Sequence, residues 1–442
     1  MDRISVFFVV VFAAMSSPSI ALAKESGSNT DALPGSARAI QDSITRFFGI
    51  DASRQDFVLV EEDGPVKFLT IISDKFAQAI GLPSYAYLMP QVGYFRAEPE
   101  SDGWAIRSTE ATGYSNDLVL GGQDSVKTQI ASMNVNAKLA YELLGESRLA
   151  AEFRDVNSAT SANGDSDVDS FGTIYLWSRL NGISTSLSML QGGITSSELQ
   201  SEIWRSGQLS LMKTQSASIN WKLKGDFSGI RKDIVSGYSL QRALNENLLD
   251  GVFSRVSEYE FSLRSKNIVN KPVLNLDFGI DDLSAVIRKG EEHGTGVFDF
   301  SLNDFHGLGH YFSAALGDLL PFDAKVHATF KVPLDRPERG KDSGYPVAFP
   351  RFSASIASTK YSVELEGAGD FTADTHKFNG TMNIRAKGLK AVIEKTVVPN
   401  FGKYRVFRDD QASVIALFAA GTTSGDVTTW TVRFHDGSPA LQ

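Results

Sequence analysis

Apolar residues fall at every second position over most of this chain, which predicts strands with one oily and one wet face. The longest run covers residues 209–223. There Leu209, Leu211, Ala217, Ile219, Trp221 and Leu223 share one face, interrupted only by Lys213 and Gln215. The same period returns at Tyr259, Phe261 and Leu263, at Phe298, Phe300 and Leu302, and along residues 322–332 from Phe322 to Val332. It continues at Tyr361, Val363 and Leu365, at Phe378, Met382, Ile384 and Ala386, and at Trp430, Val432 and Phe434.

The first hundred residues read differently. Ile40, Ile44 and Phe47 recur at helical spacing until Gly49, so a short helix is expected there. Residues 57–60 and 66–72 read as strands around the Asp63-Gly64-Pro65 turn, followed by a helix over 74–80. Further short helices are expected over 239–249, 310–320, 389–397 and 411–420, and an exposed loop over 333–350. Their apolar stripes need a surface to rest on, and the oily side of the sheet supplies one. The expected fold is therefore α+β and mainly β: a large antiparallel curved sheet whose apolar face is packed by short helices.

Domain organisation follows from the change of period. Residues 1–23 read as a signal peptide, 24–100 as a small mixed α/β region, and 101–442 as a large antiparallel β-rich domain with internal repeats. The echo behind the repeats pairs residues 219–227 with 363–371, each running into a Gly-Asp-Phe corner. A second echo pairs Leu283-Ser284-Ala285-Val286 with Leu389-Lys390-Ala391-Val392 as strand-to-helix passages.

Export is the reading of the first residues. Arg3 precedes an apolar stretch over 4–15, and Ala21-Leu22-Ala23 offers small residues for cleavage near Ala23. That stretch is shorter than the roughly 20 residues a spanning helix needs. A periplasmic or secreted location follows, with retention as an anchor as the competing reading. The chain has no cysteine, which removes disulfides, thiolate metal sites and cysteine nucleophiles together. A net charge of −9 argues against nucleic acid as a partner.

Several groups were candidates for chemistry. Asp304, His306 and His310 form a cluster, but Gly307 and Gly309 spoil the helix that would align the imidazoles, so solvated histidines at a strand end are expected. Residues 163–169 place Asp165, Asp167 and Asp169 at alternate positions as a calcium loop would, yet Ser170 and Leu176 stand where that loop needs glycine and a carboxylate. An exposed acidic hairpin loop is the plainer reading. Ser262, Ser265 and Lys266 lie in an alternating strand without a nucleophile elbow, and Gly294-Thr295-Gly296 lacks the third glycine of a phosphate loop. Asp281-Asp282 and Glu291-Glu292 are chain neighbours, which a strand points to opposite faces. No catalytic, cofactor-binding or metal-binding residue is expected.

Leu319-Leu320-Pro321-Phe322, Gly369-Asp370-Phe371, the passage at Gly388-Leu389, the apolar residues 412–420 and the closing Trp430-Thr431-Val432-Arg433-Phe434-His435-Asp436-Gly437 carry a family likeness. Over residues 205–442 the chain resembles the domain of unknown function 2125 family of bacterial envelope proteins, similar in pattern to the C-terminal portion of AsmA-like proteins. That resemblance implies an envelope protein, lipid traffic and no catalytic residues. The expected function is a non-enzymatic exported protein that binds lipid or another envelope protein along its sheet, with peripheral membrane association. The alternatives are an exported hydrolase with a dispersed active site and an outer-membrane β-barrel.

Overall fold

The computed structural model describes residues 36–48, 56–72, 75, 92–225, 256–271, 278–307, 319–331, 346–372, 377–401 and 415–441, with short breaks at 110–111, 122–123, 143, 163–164, 185–186, 206–207 and 293. Its fold is α+β and mainly β, built on a large antiparallel sheet. The chain divides into two compact units, Met1–Glu198 with Ser218–Glu260, and Leu199–Ala217 with Phe261–Gln442. The signal-like residues 1–23 and the expected helix over 239–249 lie outside the described residues, as do that over 310–320 apart from residues 319 and 320 and that over 74–80 apart from residue 75.

In the first unit, α1 (Ala37–Phe48) forms where the 3.6-residue spacing places it. Ser36 caps it, its Oγ accepting the Ala39 N–H at 3.2 Å. Ile40 and Ile44 are buried one turn apart. They meet Phe57, Val58, Leu69, Ala97, Trp104, Ile106 and Leu139 in one cluster. These come from β1 (Val58–Asp63), β2 (Val66–Ile72), β3 (Val92–Pro99), β4 (Gly103–Ser108) and β6 (Asp124–Ala140), with Phe57 just ahead of β1. Neighbouring strands pair antiparallel from β1 through β4 to β6, so residue 100 falls in the turn of the hairpin joining β3 and β4. Strand β6 is long enough to serve two ladders. Its C-terminal half runs between β4 and β7 (Glu146–Arg154), and its N-terminal half between β5 (Thr112–Gly121) and β8 (Asn157–Ala162). Strands β9 (Asp165–Ser170), β10 (Ile174–Ser184) and β11 (Leu187–Ser196) extend these ladders.

The division between units falls inside β14 (Ser216–Gly225) and β15 (Val256–Lys271). Residues 209–223, expected as one strand, are two: β13 (Gln208–Thr214) and β14, broken at Gln215. Lys213 and Gln215, the two interruptions of the apolar face, sit at that break. Thr214 is buried there, its hydroxyl 2.7 Å from both Ser265 Oγ and the Lys266 carbonyl.

The second unit opens with β12 (Leu199–Arg205) paired with β13. Seven strands then follow in antiparallel register: β16 (Phe278–Lys289), β17 (Thr295–His306), β18 (Phe322–Lys331), β19 (Pro346–Ala357), β20 (Ser362–Thr372), β21 (Lys377–Lys387) and β23 (Val427–His435). Short strands β22 (Thr422–Ser424) and β24 (Ser438–Leu441) pair with β23. After Gly388, whose φ of 71° suits glycine, the chain enters α2 (Leu389–Val392), a π-helical turn over Ile393–Val397, and α3 (Val398–Phe401). Residues 415–420 form α4.

Three expectations fail here. Part of the expected loop over 333–350 is strand, because β19 begins at Pro346 and alternates through Val347 and Phe349. Its prolines stand at the strand start and at a bulge between Phe349 and Phe352, where a missing N–H costs little. Gly369-Asp370-Phe371 is no corner, for it lies within β20, where Gly369 leaves room for the Phe378 ring. Leu283-Ser284-Ala285-Val286 is strand rather than helix, so the second echo does not carry over to structure.

Burial holds the Tyr259 and Tyr361 hydroxyls protonated, pushing both ionisations above the ordinary tyrosine range. A folded value above the unfolded one gives stability that is complete below the unfolded value of about 10 and lost as pH rises past it. Thermal melts between about pH 8 and 11 should show a steepening loss of stability, and Tyr259→Phe should flatten it. An unchanged slope in that variant would contradict the assignment to Tyr259.

Candidate functional site

Register across the second unit decides what each face presents. Phe300 on β17 stands opposite Val326, which stands opposite Ala354, then Leu365, Ile384 and Trp430. That row crosses six strands and, at about 4.8 Å per strand, spans about 24 Å. A row two residues away runs Leu302, Ala324, Ile356, Val363, Ala386 and Thr428, and on the other side runs Phe298, Ala328, Phe352, Gly367, Met382 and Val432. All three point to one face because side chains two apart on a strand do so.

One corner of this face is covered by a described helix. Phe418 of α4 packs on Ala386 and Trp430 with Leu389 and Ile393 beside them, and the Trp430 Nε1–H donates to the Leu417 carbonyl at 2.7 Å. The Phe418 and Trp430 rings meet edge to face at 5.3 Å. Further along, Phe298, Phe300, Val326, Leu365 and Met382 are half-buried. Large rings there lie flat over glycines: a Cβ at Gly296 would collide with Phe330, and one at Gly367 with Phe352.

The opposite face is wet and carries a furrow of about 840 Å³. One wall is the row Ser284, Ser301, Lys325, Ser355, Glu364, Arg385 and Thr429; the other is Val286, Asp299, His327, Ser353, Glu366, Asn383 and Thr431. The row from Phe300 to Trp430 lines it too, and since those side chains point away, their backbone is its floor. Within it the charges are mostly paired. Asp299 binds His327 Nδ1 at 2.6 Å through one oxygen and Arg288 at 3.1 Å through the other, and Arg385 lies 3.7 Å from Glu364.

Ser353 stands directly across from His327, completing the residue types of an acyl-transfer triad. No hydrogen bond joins His327 to Ser353 among the described residues, and the floor amides are engaged in the antiparallel ladders, which leaves no paired N–H groups for an oxyanion. The furrow can orient a polar ligand through hydroxyls and paired charges.

The sequence candidates are scattered. Asp165, Asp167 and Asp169 lie on β9 rather than in a loop, where alternate residues run along one face about 6.5 Å apart instead of converging on an ion. Ser265 is tied to Thr214, and Thr295 caps the hairpin turn by donating to the Glu292 carbonyl at 2.6 Å. His306 is exposed at the end of β17 beside Asp304, and His310 lies outside the described residues. The furrow and the partnership of Asp299 with His327 escaped sequence reading, because neither follows without the strand register.

No family model, curated protein or solved structure matches this chain.

Removing the cover at the corner should expose the face beneath. Phe418→Ala is expected to lower stability by about 3 kcal/mol in urea unfolding and to raise binding of an apolar dye. Wild-type stability together with unchanged dye binding would mean that α4 does not cover Trp430.

Proposed function

We propose that this chain is an exported, non-enzymatic envelope protein that holds lipid acyl chains on the apolar face of its second unit. The observation that carries this reading is the half-burial of Phe298, Phe300, Val326, Leu365, Met382 and Ile384 on one face, where the described helices seal the corner at Ala386 and Trp430. A contiguous oily surface of this kind is unfavourable in water and is relieved by a hydrophobic ligand or partner. Each methylene moved onto it contributes about 0.8 kcal/mol, so eight contribute about 6 kcal/mol before ordering costs, the scale of reversible binding at tens of micromolar or weaker. The signal-like N-terminus supports delivery to the envelope, and the residue pattern over 205–442 agrees with the same setting. Against a hydrolase stands the separation of His327 from any bonded nucleophile.

The test is to purify the processed protein without detergent, extract it with organic solvent and identify bound lipid by mass spectrometry. Co-purifying phospholipid or fatty acid is expected, together with binding of a fluorescent naphthylamine probe. The double substitution Leu365→Gln with Ile384→Gln should weaken both while far-ultraviolet circular dichroism is unchanged. Absence of lipid and of probe binding in the wild type would overturn the proposal, and a protein that stays in solution only with detergent would favour the barrel.

A further inference from the structure

A paired irregularity in β16 and β17 gathers charge of one sign. Ile280 pairs with Phe305 and Asp282 with Asn303, so Asp281 and Asp304 face each other between them. Like charges directly opposite on neighbouring strands are unfavourable. Asp304 takes a φ of 51°, and its N–H donates to Asp323 Oδ1 at 2.9 Å, which brings a third carboxylate alongside. His306 completes the group. Its ring lies over Gly279, where a Cβ would collide with it, and its Nδ1 is 2.8 Å from the Asp304 carbonyl oxygen and 3.5 Å from Asp304 Oδ2.

This place gathers three carboxylates without a countercharge. Elsewhere in the unit Asp299 has Arg288, Glu364 has Arg385, Glu366 has Arg351 and Asp436 has Lys377. Among the described residues no lysine or arginine pairs with Asp281, Asp304 or Asp323, and residues 307–321 contain none in sequence. One ligand atom each from Asp281, Asp304 and His306 already lies within 4.8 Å of the others. Donors on one zinc ion at about 2.1 Å stand no more than about 4.2 Å apart, so a small rotation of exposed side chains closes the gap.

We propose that Asp281, Asp304 and His306 bind a divalent transition-metal ion, with zinc the best match. An imidazole nitrogen beside two carboxylates suits zinc or manganese better than calcium or magnesium, which prefer oxygen alone. Three protein ligands at an exposed strand end leave the remaining positions to water. The site lies in the second unit and does not depend on the lipid reading.

Isothermal titration of untagged, chelator-treated protein with zinc chloride tests it. One saturable event per chain is expected. His306→Gln and Asp304→Asn should each weaken it by about tenfold or more, while His327→Gln, in the furrow, should leave it unchanged. Should His306→Gln fail to fold by circular dichroism, Asp281→Asn on the exposed side serves in its place. No saturable binding, or an isotherm insensitive to these ligand substitutions, overturns the proposal.

Discussion

Cross-strand register is the constraint on which the second unit rests. Alternation has a period of two, so slipping any strand from β16 to β23 by one residue would turn its apolar set to water and its charged set to the oily side. The observed pairing puts Phe300, Val326, Ala354, Leu365, Ile384 and Trp430 in one line, and the same register brings Asp299 to His327 and Glu364 to Arg385 on the reverse. The apolar face and the polar furrow are thus two consequences of one arrangement. Surface ion pairs of this sort contribute about 1 kcal/mol or less each, so they specify register more than they stabilise it.

Departures from perfect alternation occur where the sheet does something other than pair. The irregularity at Asp281 and Asp304 lets Leu302 and Phe305, three residues apart, reach the same side, so Phe305 can stack on Phe278 and Phe322 with centroids 5.5 and 4.9 Å away. The cost is a cluster of carboxylates that the strands themselves leave without a cation. In the first unit the oily side is closed differently, by α1 over Trp104 and Leu69.

Much of the fold was legible because its signals are local. Ile40, Ile44 and Phe47 announce α1, Asp63-Gly64-Pro65 announces the first hairpin, and Gly388-Leu389 announces the turn into α2. Local signals misled at Gly369-Asp370-Phe371 and at Leu283-Val286, where turn-like and helix-like residues serve a strand whose neighbours supply the decisive contacts. The break at Gln215 was visible as Lys213 and Gln215 but looked like a blemish in one strand. The furrow and the addition of Asp281 to Asp304 and His306 were illegible for a different reason: the furrow's residues run from Ser284 to Thr431 over separate strands, Asp281 lies on the strand before Asp304 and His306, and only pairing unites them.

Because the chain contains no cysteine, single cysteines can report each face separately. The most direct measurement places a bimane fluorophore at Leu365→Cys on the apolar face and at Glu364→Cys or Glu366→Cys on the wet one, then adds a fatty acid bearing a mid-chain nitroxide. Quenching at position 365 with little at 364 and 366 is the expected result. Equal quenching at all three positions, or none at 365, would contradict the account.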